Sequence, residues 1–193
     1  MSLNLVENYG KYLISYLGEN PDEIILVDTA KRLGYVYLGG DETMTNIRIN
    51  SELNGNVVSG RNQKWTILKT IKFTSARGKM SVICRLDNGN IMLFFKGGNT
   101  KIIPALTEEQ PFYEKINERS LKFSEMGLRV LWIAVKVLDE DEYFDWKGKF
   151  DEIPSEDENS QNRLISEIEK GMTLIGCTAV EDNLQDKVPD TIK

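Results

Sequence analysis

The chain has 193 residues, 40 % of them hydrophobic, with 24 basic against 30 acidic side chains and a formal net charge of −6; that suits one well-filled core and argues against a nucleic-acid partner. Histidine is absent, which removes serine–histidine and cysteine–histidine hydrolases and the commonest transition-metal ligand. The longest apolar runs, VLWIAV at 130–135 and IMLFF at 91–95, fall far short of the roughly 20 residues that span a bilayer, and the amino end carries no basic-then-apolar signal segment.

In chain order, ENPDEIILVDTAKRLG carries a full set of helix signals: Asn20 as N-cap, Pro21 at the first helical position, Asp22 and Glu23 in the first turn and Gly34 as the stop. YVYL and TMTNIRIN read as strands, and the polar SELNGNVVSGRNQ as a loop or hairpin connection. KWTILKTIKF and MSVICRL are strands, and DNGN is the turn that joins MSVICRL to IMLFF in an antiparallel hairpin. QPFYEKINERSLKFSEMG reads as a helix with Pro111 near its start and Gly127 as its stop. LRVLWIAVKVL, apolar on both faces, is an interior strand. A helix over DEDEYFDWKGKFDEI, a loop over PSEDENSQN, an amphipathic helix over RLISEIEKG with Leu164, Ile165 and Ile168 on one side, and a closing strand MTLIGCTAV complete the chain. This order gives an α+β fold with a mainly antiparallel sheet covered by helices.

Residues 139–158 hold ten acids against Lys147 and Lys149, a local balance of minus eight, so the remainder of the chain is net positive by two. The remaining surface can thus be locally basic enough to meet an anionic ligand while one edge stays acidic and solvated. Cys84 and Cys177, in apolar strand-like runs without paired spacing, read as buried free thiols of a reducing compartment. Walker-type and dinucleotide-binding glycine loops are missing, the glycine pairs of LGGD and KGGN are ordinary turn-formers, and the DEDE run has no partner cluster that would make a metal site. Composition and spacing alone leave no independent kinase or hydrolase.

Five stretches, taken in order, carry a resemblance. GENPDEIILVDTAKRLGYVY, KFTSARGKMSVICR, LFFKGGNTKII, GLRVLWIAVKVLDEDEYFDW and IEKGMTLIGCTAVEDNLQDKVPDTI resemble, in family order, successive segments of the phospholipid-flippase class of P-type ATPases. Gln185, where ion-pumping relatives show a DPPR run, points to the lipid-transporting branch. The phosphorylated aspartate of DKTGT and the TGD and GDGxND motifs do not occur here. The resemblance thus implies a P-type ATPase nucleotide-binding domain over residues 1–180, with 181–193 as the start of the return hinge to an absent phosphorylation domain. It implies a parent protein that crosses the membrane many times, with this part on its cytosolic face.

By the same resemblance the ligand is ATP, with Mg2+ arriving as the nucleotide complex rather than held by this domain. Phe73 is the adenine-stacking ring, Lys96 lies in the cleft with Gly97 admitting close backbone approach, and Arg129 offers a guanidinium to phosphate or ribose. Glu23 accepts from the adenine amino group or from Lys96, and Leu131 forms an apolar wall. Arg77 and Lys79 are secondary candidates. The family DRK run is Ala76, Arg77 and Gly78 here, so phosphate affinity rests on Lys96 and Arg129, because Lys79 falls on the opposite face of an extended strand. Expected partners are ATP, the phosphorylation and actuator domains of the parent chain, and an accessory subunit of the flippase; no catalytic residue is expected within the chain. The alternative reading is a catalytically silent domain that docks a partner subunit or a regulatory tail, favoured by the acidic stretch.

Overall fold

The computed structural model describes residues 2–8, 11–18, 20–53 and 56–181. The proposed return hinge at 181–193 therefore lies, Glu181 apart, outside the described residues. An amino-terminal hairpin pairs β1 (Ser2–Asn8) antiparallel to β2 (Lys11–Leu17). It leads to α1 (Pro21–Arg32), whose start follows its sequence signals: the Asn20 Oδ1 accepts from the backbone N–H of Asp22 at 2.9 Å, and Asp22 and Glu23 sit in the first turn beside the helix's positive end. No α1 residue is fully buried. The helix lies against β2 and β3, with Lys31 donating to the Ile14 carbonyl at 2.9 Å.

A seven-stranded, wholly antiparallel sheet follows as a simple meander: β3 (Tyr35–Gly40), β4 (Met44–Leu53), β5 (Asn56–Thr74), β6 (Lys79–Arg85), β7 (Ile91–Gly97), β8 (Arg129–Leu138) and β9 (Thr173–Val180), each strand pairing with the next in sequence. Between β7 and β8 come the short α2 (Asn99–Ile102), a 3-10 turn over Ile103–Ala105, and α3 (Tyr113–Glu125). Between β8 and β9 come α4 (Glu140–Asp151) and α5 (Glu158–Ile168). The mainly antiparallel α+β architecture expected from the element order is the one observed.

Two boundaries differ from the sequence reading. The polar stretch 51–63 is largely ladder: β4 runs on to Leu53 and β5 begins at Asn56, paired across from Leu53. Strand pairing satisfies the backbone whatever the residue type, so a polar sequence can still form ladder. The stretch read as the loop PSEDENSQN is helical from Glu158, because the Asp157 carboxylate caps the helix by accepting from the Ser160 N–H at 3.0 Å.

The core lies on one face of the sheet, under α3, α4 and α5. Ile83, Leu93, Phe95, Trp132 and Ala134 from the strands meet Tyr143, Trp146 and Phe150 of α4 and Ile165 and Ile168 of α5. Both buried indoles there find acceptors: Trp132 donates to Ser120 Oγ at 2.8 Å and Trp146 to the Leu164 carbonyl at 3.0 Å. Residues of alternate parity, Met80 and Val82 on β6, Phe94 and Lys96 on β7, and Leu131 and Ile133 on β8, point to the other face. That face, at the end where α1 begins, carries the site.

Candidate functional site

At this end of the sheet the start of α1 comes over the ends of β6, β7 and β8. The register sets Met80 opposite Lys96 and Lys96 opposite Ile133, with Arg129 and Leu131 on the same face at the start of β8. A cleft of about 260 Å³ opens between them, and Glu23, Phe73, Lys96, Gly97, Arg129 and Leu131 all line it. Six residues named from sequence, spread over more than a hundred positions, thus meet in one concavity.

Its walls have three parts. Phe73, 60 % exposed, offers an open ring face at the end of β5, and Met80 and Leu131 add apolar surface. The cations are held by the first turn of α1: Lys96 is ion-paired with Glu23, and Arg129 donates through Nη1 to Asp22. These pairs are partly solvated, with Glu23 40 % and Arg129 50 % exposed. Surface pairs of this kind contribute about 0–1 kcal/mol each, so an incoming anion can exchange for a carboxylate at little cost. A second hollow of about 270 Å³, floored by Val82, Phe94 and Ile133, adjoins the cleft and shares Glu23, Met80 and Lys96 with it.

Gly97 plays a part the sequence did not indicate. A Cβ there would lie 2.8 Å from both the Gly78 carbonyl oxygen and the Lys79 Cβ, so the missing side chain lets the β5–β6 turn close over the end of β7. Asn20, Asp22 and Met80 line the cleft as well and were missed as site residues. Asp22 had been read only as a helix-start acid, and nothing in local spacing signals its partner 107 positions away.

Arg77 and Lys79 lie elsewhere. Both reach the helix-covered face, where Glu169, 1 % exposed, takes the guanidinium of Arg77 and the hydroxyl of Ser81 on one oxygen and faces the Lys79 ammonium at 2.8 Å with the other. Lys79 also stands 4.6 Å from the centre of the Phe95 ring. Neither residue lines the cleft. Among the described residues no group of three or more acidic, cysteine or histidine side chains is placed to hold a metal ion.

A family profile described as P-type ATPase, cytoplasmic domain N, matches residues 14–187. The chain is 36 % identical over 182 residues to the phospholipid-transporting ATPase DNF1 of Chaetomium thermophilum, covering 92 % of this chain and 11 % of that protein. It is 38 % identical over 181 residues to the phospholipid-transporting ATPase C4F10.16c of Schizosaccharomyces pombe, covering 92 % and 13 %, and 33 % identical over 183 residues to the phospholipid-transporting ATPase DRS2 of Saccharomyces cerevisiae, covering 93 % and 13 %. The chain therefore spans only 11 to 13 % of the length of these relatives.

Proposed function

The chain belongs to the family of P-type ATPase cytoplasmic N domains, and from that premise we propose that it is the ATP-binding domain of a phospholipid-transporting ATPase, holding ATP for phosphoryl transfer to an aspartate outside this chain. The observation that carries the proposal is the convergence of Phe73, Glu23, Lys96 and Arg129 on one cleft. Adenine stacks on the exposed Phe73 ring, with Met80 and Leu131 closing the apolar side. Glu23 accepts from the exocyclic amino group, and the Lys96 ammonium donates to a ring nitrogen. The Arg129 guanidinium, leaving Asp22, takes a ribose or phosphate oxygen.

The triphosphate extends past Arg129 out of the cleft, and Mg2+ travels with it and neutralises its charge in transfer. Residues of this chain bind and aim the nucleotide; they abstract no proton and form no covalent bond. In the parent protein, repeated transfer to the aspartate and its hydrolysis drive phospholipid between leaflets, with the phosphorylation and actuator domains and an accessory subunit as partners.

A thermal-shift titration of the 193-residue chain with ATP, ADP and AMP tests the proposal. At ten times Kd, ligand linkage adds about 1.4 kcal/mol, roughly 3–6 °C for a chain of this size. No shift at millimolar nucleotide overturns the reading and leaves the docking-domain alternative.

A further inference from the structure

Phe73 is seated in an irregularity of the sheet. Ile71 pairs with Ser81 and Thr74 with Lys79, so that Lys72 and Phe73 together oppose the single residue Met80. Two residues against one is a β-bulge, which re-aims a side chain at the cost of a broken ladder. The Lys72 carbonyl is taken by the Nη1 of Arg77 at 3.2 Å. The turn that brings Arg77 back is itself fastened: its N–H donates to Thr74 Oγ1 at 3.2 Å, and the Gly78 N–H, at a φ of 63° that favours glycine, donates to the Thr74 carbonyl at 2.7 Å. The other arm of the guanidinium goes to Glu169, the cap residue that follows α5, which is buried, accepts from Ser81 and is ion-paired with Lys79.

Resting on the nucleotide reading above, we propose that Glu169 and Arg77 are positioning residues for base binding: Glu169 fixes the Arg77 guanidinium, and Arg77 clamps the bulge that aims the Phe73 ring into the cleft, without either one touching nucleotide. A buried carboxylate is the appropriate anchor: its Oε1 takes hydrogen bonds from Arg77 and Ser81, its Oε2 is ion-paired with the Lys79 ammonium, and it is closed off from solvent ions. A planar fork that bonds a carboxylate and a carbonyl at once is a task for arginine and not for lysine.

The test compares ATP with inorganic tripolyphosphate, which offers the anion and no base, on the wild-type chain and on Arg77→Ala, Arg77→Lys, Phe73→Ala and the Arg77→Ala/Phe73→Ala double variant. With the clamp gone, ATP binding weakens about fivefold, a partial loss of the aromatic contact. Tripolyphosphate binding stays unchanged, Arg77→Lys does not rescue, and Arg77→Ala adds nothing once Phe73 is already alanine. An equal loss for tripolyphosphate, or an undiminished fivefold loss in the Phe73→Ala background, overturns the proposal.

Glu169→Gln gives the same pattern where it folds, and Arg77→Ala carries the test where it does not. If the wild-type chain binds no nucleotide, the ATP reading falls by itself. The clamp is then judged from the NMR signals of the Phe73 ring and of the Lys72 and Phe73 amides. Broadening or averaging of these in Arg77→Ala supports it, and unchanged signals overturn it.

Discussion

Two carboxylate–cation clusters sit on opposite faces of the same end of the sheet and are made of the same groups. On the cleft side Glu23 and Asp22 hold Lys96 and Arg129 in partial contact with water; on the core side Glu169, itself 1 % exposed, holds Arg77 and Lys79. What separates them is solvation. Exposed pairs contribute little and exchange partners readily, whereas a buried carboxylate that loses its donors is left with the full cost of its desolvation. The same chemistry thus gives exchangeable ion pairs on one face and a fixed cluster on the other.

The largest expected break in this contrast is Glu169→Ala. It leaves Arg77 and Lys79, 13 % and 16 % exposed, without their shared carboxylate and should cost about 3 kcal/mol of stability, the lower end for a broken buried pair, read as a lowered urea midpoint. Glu23→Ala should cost no more than about 1 kcal/mol by the same measurement. Equal losses for the two variants would dissolve the distinction. Next in size, Phe73→Ala should weaken ATP by about 1–3 kcal/mol, the usual worth of a base on an aromatic platform, while leaving the urea midpoint nearly unmoved, because the ring is already 60 % exposed.

Titration sharpens the comparison from another direction. Cys84, 2 % exposed on the β6 face that also carries Met80 and Val82, has its thiol pushed up from 9.0 to about 11 by burial. Above pH 9 the unfolded chain loses this proton while the folded chain keeps it, so stability should fall between about pH 9 and 11, by up to about 1.4 kcal/mol per pH unit. Cys84→Ser, compared with wild type at pH 8 and pH 10, should remove that part of the slope. The smallest effect expected is from Asp22→Asn, which withdraws the carboxylate that competes with phosphate for Arg129. ATP should bind about twofold to threefold tighter at low salt, the gain shrinking as ionic strength rises.

The sequence spoke most clearly where local chemistry decides. The Asn20 cap, Pro21 and the acidic first turn mark α1 within a residue, and the DNGN turn sets the β6–β7 hairpin. It was silent where pairing or tertiary burial decides. The polar residues of β4 and β5 follow no hydrophobic alternation, so their ladder was read as a loop; the β1–β2 hairpin was not anticipated; and Asp157 gave no sign among its acidic neighbours that it would cap α5. The cleft residues were legible through the ordered motifs they belong to, because Phe73, Lys96 and Arg129 each stand in a separate stretch. Glu169 was not: one glutamate at the end of an amphipathic helix looks solvated, and only the tertiary fold buries it against donors 88 and 92 positions away.

The central claim, that the Phe73–Lys96–Arg129 cleft is where ATP sits, is tested most directly by an amide NMR titration of the chain with Mg2+–ATP, repeated on Phe73→Ala. Saturable shifts clustered at Glu23, Phe73, Met80, Lys96, Gly97 and Arg129 in the wild type, and largely lost in the variant, are the predicted result. Shifts that cluster away from the cleft, or that persist unchanged in Phe73→Ala, would contradict it.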